Sequence, residues 1–273
     1  MNVATRLAGF AVVLALVFAG AAFAGSRIDV HPGKPKPEQG MGAMAAGHGE
    51  APQPVRGLAV SEKGLTLELA RTAAPLGTPF ELAFRIVDRN GQTVRDFDVE
   101  HTKRMHFIVV RRDMTGFQHL HPTQRADGTW TVPVTLADAG SYRVFADFSV
   151  GDKPYTLADE LTVDGSVHSQ VLPAPADSAE VDGLRVSLTP EKKELAFTVT
   201  RESSPVAIQD YLGAKGHLVA LREGDLAFLH VHPDARSLRF EATFPTPGRY
   251  RLFLQFQVDG QVHTAAFTQA VGR

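Results

Sequence analysis

Six of the eleven histidines fall into two copies of one pattern, His-x12-His-x-His: His106, His119 and His121, then His217, His230 and His232. Imidazole nitrogens are ligands for zinc and copper, so three that converge can hold an ion. The same rings can instead be buried and hydrogen-bonded to backbone or to each other. The first copy is richer, because His101 and Met105 flank His106 where the second copy has Leu212 and Gly216. Apart from the initiator, the methionines are Met41, Met44, Met105 and Met114, all near the first histidine motif or in the segment before it. Thioether with imidazole suits copper, whose reduced form accepts soft ligands. The chain has no cysteine. Disulfide frameworks, thiolate zinc sites, iron–sulfur clusters and cysteine nucleophiles are thereby excluded. No G-x-S-x-G, P-loop or dinucleotide fingerprint is present. The cupin pattern fails after Gly224, His230 and His232, because Ser237 stands where its glutamate belongs.

Strands must position these histidines. Leu65, Leu67 and Leu69 alternate with polar residues, as do Phe80, Leu82, Phe84 and Ile86, then Leu195, Phe197 and Val199, then Tyr250, Leu252, Leu254 and Phe256. That period of two predicts an all-β chain. In a hairpin turning near Asp113 or near Glu223-Gly224, residues whose numbers sum to an odd value lie opposite each other and share a face. His106 with His119 and His217 with His230 satisfy this, and alternation adds His121 and His232 to the same faces. Each repeat is therefore expected to gather three imidazoles on one sheet surface, giving one site per repeat. Phe117 shares that face and Leu120 lies on the other, so the strand is apolar on both sides.

The chain repeats. Met105 to Pro122 aligns with Gly216 to Pro233 at an offset of 111, and Ala139 to Phe148 aligns with Pro247 to Phe256 at an offset of 108. Upstream, Gly57-Leu58 matches Gly183-Leu184, which gives the first copy about fifteen extra residues, room for one more strand. Two tandem β-sandwiches are expected, over 56–165 and 180–273, joined by a Pro/Ala/Ser linker at 166–179. Asp138-Ala-Gly140-Ser-Tyr142 resembles the immunoglobulin tyrosine corner, with Val144 in place of cysteine, and Pro247-Gly-Arg-Tyr250 is a looser copy. An immunoglobulin-like sandwich is predicted, with a cupredoxin-like one as the alternative.

Before the repeats, Leu7 to Ala24 is an uncharged run of 18 residues preceded by Arg6. It reads as a signal peptide, cleaved after Ala22-Phe23-Ala24, or as a hydrophobic anchor helix. Either exports the remainder, and an anchor would attach it to the membrane. Residues 25–55, rich in Pro and Gly, read as a disordered tether; Met41, Met44 and His48 within it could hold a soft metal loosely. A net charge of −2 argues against nucleic acid as a partner.

Met105-His106-Phe-Ile-Val-Val-Arg111 and Phe117-Gln-His119-Leu-His121-Pro122 resemble segments of a group of exported, largely uncharacterised bacterial proteins associated with heavy-metal handling. The resemblance implies copper or another heavy metal as ligand. The resulting expectation is an extracytoplasmic, non-enzymatic metal-binding protein for sequestration or delivery. Copper is the expected ion, with zinc as the alternative, and a membrane metal transporter or another exported carrier is the expected partner. The competing expectations are an exported interaction module with structural histidines and a His-site zinc hydrolase.

Overall fold

The computed structural model describes residues 14–18, 55–191, 193–229, 231–234 and 236–272. Leu14 to Phe18 form a helical segment in a unit of their own, Met1–Glu50. Among the described residues no helix is long and apolar enough to cross a membrane. The rest of the expected hydrophobic helix, nearly all of the tether, and Met41, Met44 and His48 lie outside the described residues.

The second unit, Ala51–Arg273, is all β. Its first half contains β1 (Ser61–Glu62), β2 (Leu65–Leu69), β3 (Ala73–Ala74), β4 (Phe80–Val87), β5 (His106–Arg111), β6 (Gln118–Leu120), β7 (Thr123–Gln124), β8 (Trp130–Val134), β9 (Gly140–Val150) and β10 (Lys153–Val163). The second half contains β11 (Ser178–Val181), β12 (Leu184–Pro190), β13 (Glu194–Arg201), β14 (Ser204–Pro205), β15 (Gly216–Arg222), β16 (Phe228–Leu229), β17 (His232–Pro233), β18 (Arg239–Glu241), β19 (Gly248–Val258) and β20 (Gln261–Val271).

Each half is a sandwich of two sheets. In the first, β1-β2-β4-β8-β7 faces β3-β10-β9-β5-β6; in the second, β11-β12-β13-β18-β17 faces β16-β15-β19-β20. Within these sheets the orders β2-β4-β8-β7 and β12-β13-β18-β17, opposite β10-β9-β5 and β20-β19-β15, are the A-B-E-D and G-F-C orders of the immunoglobulin fold. The tyrosine corners are made as the sequence pattern requires: Tyr142 donates its hydroxyl to the Asp138 carbonyl at 2.9 Å, and Tyr250 to that of Thr246 at 2.8 Å. The upstream alignment needs correction. Lys63-Gly64 and Asp182-Gly183 are the matching hairpin turns, both with left-handed backbone (φ 49° and 88°, 49° and 75°). Gly64-Leu65 is thus the counterpart of Gly183-Leu184, and the insertion, which carries β3, is shorter than the Gly57 match implied.

Alternation along β5 and β15 explains how the halves meet. Phe107 and Val109 enter the core of the first sandwich, and Leu218 and Ala220 that of the second. The intervening Ile108, Val110, Val219 and Leu221 face the other way, into a third apolar cluster between the sandwiches with Phe145, Phe228, Phe253 and Leu172 of the linker. Residues of this kind each contribute roughly 1.5–3 kcal/mol when removed from water. Phe117 stacks on Phe253 with ring centroids 4.0 Å apart, and Phe145 packs on Phe228 at 5.5 Å. Phe117 corresponds to Phe228 and Phe145 to Phe253, so the two pairs exchange roles between repeats. Gly57 passes between them with φ 68°, where a Cβ would lie 2.8 Å from both Phe145 and Phe228.

Candidate metal centre

The hairpin β5–β6 builds the site. Its turn is fastened by Arg111, whose guanidinium donates to Asp113 at 2.6 and 2.9 Å and holds that carboxyl down at about 2. Ile108 pairs with His119 and Phe107 with Leu120, so continuing the register sets His121 opposite His106. All three histidines then lie on the face that carries Ile108 and Val110, away from the first core. Ring centroids are 5.3 Å apart for His106 and His119, 5.1 Å for His106 and His121, and 4.8 Å for His119 and His121. One nitrogen from each lies within 4.8 Å of the others.

The outer nitrogens are fixed by oxygen acceptors. His106 Nε2 donates to the Glu100 carbonyl at 3.3 Å. His119 Nδ1 donates to Gln255 Oε1 at 2.8 Å, while the amide NH2 of Gln255 is directed at Thr264 Oγ1. A neutral imidazole has a single N–H. With both outer oxygens served, His106 Nδ1 and His119 Nε2 are lone pairs facing each other at 3.0 Å; in the other neutral tautomer of His106, Nδ1–H donates to His119 Nε2 and the 3.3 Å bond to Glu100 is given up. His121 Nε2 is buried without a hydrogen-bond partner. In the first tautomer three basic nitrogens converge. A proton could resolve the conflict, but burial opposes it. Burial lowers the pKa of His106 despite the nearby Asp147 carboxylate. It holds His119 well below the usual range, with His106 and His121 adding repulsion, and pushes His121 down to about 3. A divalent ion meets the same need with imidazoles neutral. Bonds of about 2.0–2.1 Å require an inward side-chain adjustment on the order of an ångström for the widest pair, and little for the closest. Outer nitrogens tied to carbonyl-type oxygens are the usual way proteins orient ligand histidines.

A family model described as "Domain of unknown function (DUF8832)" matches residues 59–165 and 179–273. The chain belongs to this family. No curated protein matches it. Among solved structures, Salmonella alpha-2-macroglobulin reacted with methylamine is similar at 16% identity and TM-score 0.30, covering 80% of this chain and 15% of that one. The Escherichia coli adhesin FdeC is similar at 14% and 0.28, covering 77% and 64%. A titin A168169 structure is similar at 10% and 0.23, covering 77% and 100%. The chain thus spans under two thirds of the first two, and the immunoglobulin-like assignment rests on its own strand order.

For this DUF8832 member the remaining expected ligands divide. His101 sits exposed in the left-handed turn Glu100–Lys103 (φ 47°), its ring 6.3 Å from His106 and 5.5 Å from His217. Met105 points the other way. Next to His106 on an extended chain, it occupies the opposite face and is 1% exposed in the core of the first sandwich. His217 does not stand apart in its own repeat: its ring lies 6.2 Å from His106 and 6.1 Å from His119. Of the expected separate cluster, His230 and the side chain of His232 lie outside the described residues. His263, elsewhere in the second sandwich, pairs with Asp182 at 2.7 Å. Gln255 and the Glu100 carbonyl were missed by motif reading. The available signal was the apolar character of both faces of Phe107–Val110, which requires a second layer over the histidine face.

Proposed function

We propose that this DUF8832 protein binds a divalent metal ion at His106, His119 and His121 and serves to sequester or deliver it outside the cytoplasm. The convergence of two ring nitrogens at 3.0 Å beside an unpartnered buried Nε2 carries the reading. The donor set is all imidazole, which suits zinc, Cu(II) and similar ions, with Cu(II) ahead of Zn(II) in the general affinity order. With Met105 in the core, the thioether that favoured Cu(I) drops out of the reading. A binding role rather than a catalytic one fits the cavity beside the cluster, about 50 Å³ among the described residues, which is room for water rather than an organic substrate. Export is supported by the apolar run Leu7 to Ala24 and the absence of cysteine. Delivery to a membrane transporter or another exported carrier is the matching partner role.

The test is metal analysis of protein purified without a histidine tag, followed by equilibrium dialysis against Cu(II) and Zn(II). Retention of an ion, lost in His119→Ala and in His121→Ala with the fold intact, is expected. A wild-type chain that binds neither ion would leave the histidines as a structural cluster.

A further inference from the structure

The cavity beside the triad is lined from both repeats: Glu100, His101, His106, His119 and Asp147 from the first, His217 from the second. His217 is buried, and its Nε2 donates to the Tyr211 carbonyl at 3.0 Å. His106 makes the same bond, ring nitrogen to the carbonyl six residues earlier, and Glu100 and Tyr211 are themselves equivalent at the offset of 111. The supporting turns match as well: Glu100 bridges Lys103, and Tyr211 bridges Ala214. His217 therefore carries the preparation of a ligand, with its outer nitrogen fixed and Nδ1 left as the lone pair. Among the described residues no partner in its own repeat uses that lone pair; His230, the counterpart of His119, and the side chain of His232 lie outside them. Among the described residues its ring neighbours besides Tyr211 are His101, His106 and His119, all of the first repeat.

We infer that His217 is the fourth ligand of the triad ion, so that a single metal centre is completed across the interface and fastens one sandwich to the other. This rests on the triad reading and adds to it the source of the last donor. The centroid distances to His217, 6.1 and 6.2 Å, exceed the 4.8–5.3 Å within the triad. Ligation therefore draws the end of β15 toward β5, and binding and interface closure are one event. Three ligands and a water make an open site, whereas four imidazoles make the closed site typical of a structural or storage ion.

The decisive measurement is X-ray absorption on the full chain loaded with Zn(II), which counts imidazoles without any variant. Four imidazoles in wild type, and three with an added light-atom scatterer in His217→Ala, are expected. Zn(II) affinity should fall at least about 10-fold in His217→Ala. His217→Gln, which keeps the donor to the Tyr211 carbonyl and most of the volume, should fall equally, so misfolding of the alanine variant cannot produce the result. Amide exchange along Val219–Leu221 should slow on adding Zn(II) to wild type and stay unchanged in both variants. Wild-type affinity in both variants, with three imidazoles in wild type, overturns the fourth ligand while leaving the triad standing. Failure of His119→Ala to lose the ion would overturn the triad itself.

Discussion

Gln255 lies 136 positions from His119, in the other sandwich, yet it sets which nitrogen of His119 can bind an ion. Replacing it with leucine keeps the approximate volume and removes the acceptor. His119 Nδ1–H then faces an apolar wall, and the ring can reverse its tautomer, leaving Nε2 protonated toward the site. Loss of such an outer partner typically lowers metal affinity about 10–100-fold, which is about 1.4–2.7 kcal/mol at room temperature. Gln255 also donates to Thr264 Oγ1 at 3.2 Å, so metal-free stability should drop by about 1 kcal/mol through that separate bond. The assay is competition for Zn(II) against a chromophoric chelator, with urea unfolding of the metal-free protein alongside. Gln255→Glu supplies the comparison, because a carboxylate at the same distance makes the imidazole a better donor and should preserve or raise affinity. Zn(II) affinity of the leucine variant within twofold of wild type would show that His119 does not ligate through Nε2.

Met105→Leu should leave Zn(II) and Cu(I) affinities unchanged and cost under about 1.5 kcal/mol of stability; a selective loss of Cu(I) binding would return Met105 to the ligand set. The metal-free protein should lose stability as pH falls from about 6.5 to 5. His217 is held at about 4 and His121 at about 3, chiefly by burial, while the unfolded chain takes up these protons near 6.5. Stability is thus fully present above 6.5 and lost below it, by about 2 kcal/mol for buried His217 over that window, and a thermal midpoint that is flat or rises toward pH 5 contradicts this. Gly57→Ala should destabilise by more than about 1 kcal/mol, since it combines left-handed backbone with a Cβ 2.8 Å from Phe145 and Phe228; an unchanged urea midpoint would mean that this segment is not held between the sandwiches.

The periodicity of Leu65–Leu69 or Tyr250–Phe256 reads directly as strands because each buries one face, and a period of two survives any detail of packing. The parity rule placed His106, His119 and His121 on one surface for the same reason. Parity also separates Met105 from His106, but the attraction of a sulfur next to an imidazole in the chain outweighed it. What a single repeat cannot disclose is the neighbour across an interface. Ile108 and Val219 announce that a second layer covers their strands, without saying that the layer is the other repeat. His217 and Gln255 consequently read as members of a separate site or not at all. The Gly57-Leu58 match failed because a Gly-Leu pair is too short to fix alignment; only the left-handed turns at Gly64 and Gly183 distinguish the true pair.

The exchanged aromatic pairs, Phe117 on Phe253 and Phe145 on Phe228, are what two identical subunits make when they meet around a two-fold axis. In such a dimer every substitution appears twice, and any charge or donor near the axis confronts its own copy. Covalent joining of the subunits releases that constraint. Asp147 and Gln255 occupy equivalent places, as do His101 and Leu212, and in each case the two halves have diverged. One half could then acquire an acceptor that orients its neighbour's imidazole while the other kept a carboxylate, an asymmetry closed to a homodimer.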